Sequence, residues 1–271
     1  MIPLLHAVAL TLYLGAATLL ATSLAREDTR LPPIANLVTA AALVVHAAAL
    51  VSYWMLWGEL PLVGLGPSLS VLALLVGLGS VGVATLGRTG PLGLVLVPLV
   101  AGLVGIALAV GMEPSGEPMA FRGVWFTLHV LLALIAYAGL TVAFASGLMY
   151  LLQFRELKSK RFGAVFRFFP PLDTLDRTGR VALIVGLPSL TLALGVGWAW
   201  AERFQYPLVA VNPQILWGVL TWILLAGALL ARAGGGRQGY RGAMASVVAF
   251  VIVVMAYLAL RTGAPEAGRF L

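Results

Sequence analysis

The sequence has no cysteine. That excludes disulfides, thiolate metal sites and thiol redox chemistry within the chain, and it carries no information about compartment. Charge is scarce as well: Asp, Glu, Lys and Arg together make up 10% of 271 residues, against roughly 25% in a soluble domain. So little polar surface cannot wrap a water-soluble core, and lipid must be the main solvent. The phosphate-cradling GxxxxGK[ST] loop, GxSxG and HExxH are all missing, which removes the commonest nucleotide-binding, hydrolase and zinc-protease signatures. No pair of carboxylates and no Lys or Arg lies in the middle of an apolar run, so a proton relay or ion-coupled pump has no parts.

What the chain does have is apolar sequence. Hydrophobic residues make up 61% and the mean hydropathy is +1.01. Apolar runs bounded by charge or Gly/Pro clusters predict spans over 2–25, 33–57, 67–87, 91–111, 122–153, 179–201, 213–232 and 241–261. The expected fold is therefore an all-α polytopic integral membrane protein of about eight transmembrane helices, a single helical domain over 1–271. The first run, Ile2 to Ala25, has neither a basic start nor a cleavage site and reads as a retained helix.

The net charge of +7 does not point to nucleic acid, because the basic residues sit between apolar runs and form no patch interleaved with aromatics. They are topogenic. Thirteen of the 17 Lys and Arg fall in the first, third, fifth and seventh connections, seven of them between Arg155 and Arg180. Positive charge stays cytoplasmic, so both termini are expected outside. The connection 154–178 is the one extended polar segment. In it Phe162, Val165, Phe166 and Phe169 have the spacing of one face of a short interfacial helix.

Three histidines are the candidates for chemistry: His6 near the outer end of the first run, His46 in the middle of the second, and His129 about two turns into the fifth. Each could be a packed, hydrogen-bonded core residue. Neutral imidazole is also the commonest metal and haem-iron ligand, and it is expensive to bury in lipid without a partner. His46 shares a stripe with Leu50, Tyr53 and Trp57. Arg122, Trp125, His129, Ala133 and Ala136 share another, where small residues would leave room for a flat ligand. On that stripe Trp125 could pack on the ligand and Arg122 could pair with a carboxylate such as a haem propionate. Alternatively Trp125 is an interfacial belt residue and Arg122 a helix-end charge.

At this point the chain resembles a known family. The stretch Leu128-His-Val-Leu-Leu-Ala-Leu-Ile-Ala-Tyr-Ala-Gly-Leu140, continuing to Tyr150-Leu-Leu-Gln-Phe-Arg-Glu-Leu-Lys158, is similar to the cytochrome c assembly family that includes CcsA, CcmC and HemX. Pro170-Pro-Leu-Asp-Thr-Leu-Asp176 resembles the proline–aspartate segment of the HemX-like branch, and Leu220 through Arg232 the helix after the family's haem-handling loop. The resemblance implies a periplasmic tryptophan-rich loop flanked by two haem-ligating histidines, with His129 at the first histidine position. Trp200-Ala201 matches the loop's opening, Asn212-Pro213 its Asp-Pro, and Trp217 follows five residues after Asn212. The intervening Glu202 to Val211 lacks the characteristic tryptophans, and no second histidine stands near Leu260 to Gly263. Trp198, Trp200, Phe204 and Tyr206 keep the region aromatic.

The expectation is a non-enzymatic, multi-pass protein of the inner (cytoplasmic) membrane, closest to the HemX-like branch. It would bind haem b and act in cytochrome c assembly or haem homeostasis with an assembly partner. The alternative is a membrane scaffold whose basic connection docks a haem-biosynthesis enzyme such as glutamyl-tRNA reductase, with structural histidines. The expected ligands are His129, His6 and His46, with His129–His6 ranked slightly above His129–His46, and with Arg122, Trp125, Trp198 and Trp200 around the site.

Overall fold

In the computed structural model, residues 1–87, 89–114, 123–160, 163–203, 213–232 and 238–263 are described. They form nine α-helices and one 3₁₀ turn, with no strand among the described residues. The helices are α1 Ile2–Arg26, α2 Leu31–Trp57, α3 Leu65–Leu86, α4 Gly93–Val110, α5 Val124–Ser159, α6 Ala164–Phe168, α7 Leu172–Arg203, α8 Pro213–Leu230 and α9 Gln238–Gly263. The fold is thus an all-α polytopic membrane bundle. Seven segments are long and apolar enough to cross a bilayer, and α8 adds an eighth, shorter apolar stretch over Ile215–Leu230. The Gly90–Pro91 break opens a 3₁₀ turn, Gly90–Leu92, that separates α3 from α4.

Local sequence explains the helix ends. Prolines occupy the first turn of α1 and α2, where the missing N–H has no intrahelical partner to lose. Gly58 closes α2 in the left-handed conformation at φ 67°, a geometry glycine adopts without strain. Pro98 and Pro188 stand on exposed positions inside α4 and α7, and both helices continue through them.

The polar connection expected over 154–178 is largely helical. α5 runs on to Ser159 and α7 begins at Leu172, seven residues before the expected start at 179. Charge does not stop a helix once it has left the lipid. The Asp176–Arg180 pair at i, i+4 and the helix-forming Arg155-Glu-Leu-Lys158 segment carry both helices beyond the apolar zone. Between them lies only the five-residue α6. Its start is tied down by Glu156, whose Oε2 accepts from the backbone N–H of Gly163 at 3.2 Å and of Phe166 at 2.9 Å. Arg167 pairs with Glu27 at the α1–α2 turn, and Phe169 packs against the bundle core. Phe162 and Arg161 lie outside the described residues.

In lipid the helices associate through close packing of small residues. α5 is the shared spine. Its Ala138, Val142, Ala145 and Met149 belong to the core built with α1 to α4, while Leu140 and Ala143 join Leu183, Leu225, Ala228 and Ala249 in the C-terminal half. Its seam with α7 is tight: a Cβ on Gly139 would stand 2.8 Å from the Ala182 carbonyl oxygen, and one on Gly186 would stand 3.3 Å from that of Ala136.

Candidate functional site

The histidines fall into two separate places. His6 on α1 and His46 on α2 are both fully buried, with ring centroids 5.2 Å apart at 70°. A third helix joins them: Ser70 Oγ on α3 lies 2.8 Å from His6 Nε2 and 2.8 Å from His46 Nε2. The far nitrogens are engaged as well. His6 Nδ1 is 2.9 Å from the Ile2 carbonyl oxygen, and His46 Nδ1 is 3.3 Å from the Tyr13 hydroxyl.

These contacts fix the protons. A carbonyl only accepts, so His6 Nδ1 carries the hydrogen and its Nε2 accepts from Ser70. Ser70 has one hydrogen to give, so its oxygen accepts from His46 Nε2–H, and His46 Nδ1 accepts from Tyr13. The result is one directed chain from Tyr13 through His46, Ser70 and His6 to the Ile2 carbonyl. Every link is satisfied by neutral imidazoles, as a lipid-embedded interior requires. Neither ring offers a vacant lone pair. Giving a nitrogen to a metal would break a bond worth about 1 kcal/mol and leave a hydroxyl unpaired.

His129 is different. On α5 it is half-buried, and its Nδ1 lies 2.7 Å from the Ala193 carbonyl oxygen of α7. Nδ1 is therefore the donor, and the lone pair is left on Nε2, for which the described residues provide no partner. Metal-ligating histidines are commonly oriented by this carbonyl bond at the second ring nitrogen. Gly197 makes the approach possible, because a Cβ there would stand 2.7 Å from Nδ1.

The pairing of His129 with His6 is not what the fold provides. His6 is held against His46, and α1 packs mainly on α2 and α4 while α5 packs mainly on α7. The room expected below His129 is also filled: Ala133 and Ala136 are covered by Leu190, Ala193 and Leu194 of α7. Small residues on that stripe serve helix approach, as the Gly139 and Gly186 contacts do. Around His129, Trp125 is 55% exposed and Trp198 65% exposed, so both present indole to the surroundings, while Trp200 is half-buried. Arg122, Phe204, Tyr206 and Asn212 lie outside the described residues. No cluster of three or more His, Asp or Glu suited to a metal ion occurs among the described residues.

A buried ion pair at the opposite end of α7 went unread in the sequence. Arg232, just past α8 and 2% exposed, donates from Nη1 to Asp176 Oδ1 at 2.6 Å and to its carbonyl oxygen at 2.8 Å. Its Nη2 donates to Ser246 Oγ at 3.0 Å and to the Gly242 carbonyl oxygen at 3.4 Å. Gly179 and Gly242 leave the guanidinium its space, since a Cβ at either would collide with it. Its one legible trace was Asp176 within the proline–aspartate segment. Ser70 and Tyr13 were equally silent, each being an ordinary residue of an apolar helix.

Comparison with known proteins follows this geometry. The family model described as "Cytochrome C assembly protein" matches residues 4–264. An uncharacterized 28.8 kDa protein of Azospirillum brasilense is 32% identical over 50% of this chain and 50% of its own length. The cytochrome c biogenesis protein CcsA of Chlamydomonas reinhardtii is 27% identical over 51% of this chain and 38% of its length. CcsA of Synechococcus elongatus is 26% identical over 84% of both chains. The chain thus spans half or less of the first two relatives and most of the third.

Proposed function

This chain belongs to the cytochrome c assembly protein family, and on that premise we propose that it is a haem-handling membrane protein that binds haem b through His129. The observation that carries the reading is the Nδ1–H bond from His129 to the Ala193 carbonyl, which leaves Nε2 as the ring's available ligand. Of the three histidines, His129 alone fits an iron ligand as it stands, since both nitrogens of His6 and of His46 are engaged by protein. Trp125 and Trp198 would flank the porphyrin, with Trp200 behind them and Arg122 at the rim for a propionate. Haem would contribute a redox-active iron and two carboxylates; the protein contributes ligation, orientation and exclusion of water, without covalent chemistry of its own.

The loop without its characteristic tryptophans and the missing second histidine support the HemX-like branch, acting in cytochrome c assembly or haem homeostasis. The distribution of Lys and Arg supports both termini outside and residues 154–178 on the cytoplasmic face of the inner membrane. The direct test is the absorbance of the protein purified from haem-replete cells. A Soret band, with a pyridine haemochrome spectrum of the b type, is expected. A clean apo spectrum in a protein that still associates with a haem-biosynthesis enzyme would replace this reading with the scaffold one.

A further inference from the structure

A cavity of about 640 Å³ opens between α3, α5 and α7, away from all three histidines. Most of its wall is apolar. Gly79 and Gly82 line it from α3, Ala138 and Gly139 from α5, and Val181 and Val185 from α7. Gly82 is not there for packing, because a Cβ on it would meet nothing within 4 Å. Its missing side chain opens the groove. Val181 and Val185 are each about half exposed and Leu86 is 91% exposed, so the groove faces the bilayer sideways.

One end of the groove is polar, and its charges are ordered. Asp173 and Arg177, on the first turns of α7, both line it and both are exposed. They stand four residues apart, the spacing at which Asp176 and Arg180 pair on the same helix at 3.1 Å. Asp173 and Arg177 form no such pair, and neither side chain has an ion-pair partner among the described residues. From the helix start inward the groove therefore presents a carboxylate, then a guanidinium about 6 Å deeper at 1.5 Å per residue, then valines.

We propose that this groove is a binding site for a zwitterionic phospholipid with a primary ammonium, a phosphatidylethanolamine. In such a lipid the ammonium is outermost, the phosphodiester lies below it and the acyl chain below that. The order of Asp173, Arg177 and the Val181–Val185 wall is its complement. The ammonium donates to the Asp173 carboxylate, Arg177 donates to the phosphate in its preferred forked geometry, and one acyl chain lies over Gly82 and Gly79. Phosphatidylglycerol has no cation for Asp173. Phosphatidylcholine has a cation without N–H and cannot hydrogen-bond it.

The test uses the full chain, purified in mild detergent, exposed to an equimolar mixture of the three lipids and read by native mass spectrometry. One phosphatidylethanolamine per chain is expected to be retained over each competitor by about tenfold, the scale of one charge-assisted hydrogen bond. Asp173→Asn should erase the preference over phosphatidylcholine, and Arg177→Gln should lower retention of all three. Both residues are exposed and unpaired, so Arg177→Gln should leave the unfolding midpoint in place, and Asp173→Asn should lower it only slightly, by loss of a carboxylate from the first turn of α7. Gly82→Leu, whose Cβ meets nothing within 4 Å and whose branched end would occupy the groove, should also lower retention and provides a check independent of charge. Equal retention of the three lipids would overturn the site, as would indifference to all three variants. Loss of haem from Arg177→Gln with lipid unchanged would also overturn it, by assigning the groove to haem.

Discussion

Removing Asp176 should damage this protein more than removing the arginine it serves. Arg232 is 2% exposed, and among the described residues the Asp176 carboxylate is its only anionic contact, at 2.6 Å. Asp176→Ala leaves the guanidinium with the Asp176 carbonyl at 2.8 Å, Ser246 Oγ at 3.0 Å and the Gly242 carbonyl at 3.4 Å, all neutral groups. It also strips Arg180, whose side chain is 42% exposed, of its 3.1 Å partner, so a second cation near Arg232 loses its counter-charge. A buried charge left uncompensated in this way costs about 3–5 kcal/mol. Arg232→Met is milder. Ser246 already donates to the Gly242 carbonyl at 2.9 Å, and Asp176 keeps Arg180 and its partial exposure to water. Its expected cost is about 1–2 kcal/mol, a typical truncation. The double variant should then be more stable than Asp176→Ala alone, since the stranded charge has gone. The assay is the unfolding midpoint in detergent micelles, followed by tryptophan fluorescence against denaturant. The reasoning is refuted if Asp176→Ala is no worse than Arg232→Met, or if the double variant equals the sum of the singles.

Three further outcomes follow from the same structure. Gly197→Ala would bring a Cβ to 2.7 Å from His129 Nδ1, so it should displace the ring and broaden or weaken the haem band, with helical circular dichroism unchanged. Ser70→Ala strands His6 Nε2 and His46 Nε2–H together, and should cost about 1–3 kcal/mol for each unsatisfied group while leaving the haem spectrum as it was. Arg167→Glu places a carboxylate against Glu27, whose hydrogen bond and charge push the Arg167 pKa up; association with a cytoplasmic partner should change in a pull-down, with haem content constant.

Apolar run length alone exposed most of the fold. Each of the eight apolar runs carries a helix, seven of them long and apolar enough to cross a bilayer, because apolar residues in lipid have no other way to satisfy their backbone. What run length does not show is where a helix ends once it leaves the lipid, so the polar start of α7 and the polar end of α5 are not legible in it. At the proposed site, the resemblance is what marks His129. The His6–Ser70–His46 chain was not, because each member sits on a different helix and Ser70 looks like any small residue in an apolar run. Ranking His6 with His129 rested on their similar distance from helix ends, and depth says nothing about which helices are neighbours. Arg232 was counted as a topogenic charge, since burial of a cation at a helix end depends on glycines at 179 and 242 that only packing reveals.

The central claim is that His129, with its Nδ1 held by Ala193, is the iron ligand, while His6 and His46 belong to a closed hydrogen-bonded chain. The most direct measurement is the absorbance spectrum of three purified variants, His129→Ala, His6→Ala and His46→Ala, each normalised to protein. The account predicts that His129→Ala loses most of the Soret band or shifts its spin state, and that the other two retain the wild-type spectrum. A His129→Ala protein with full haem and an unaltered spectrum would contradict it.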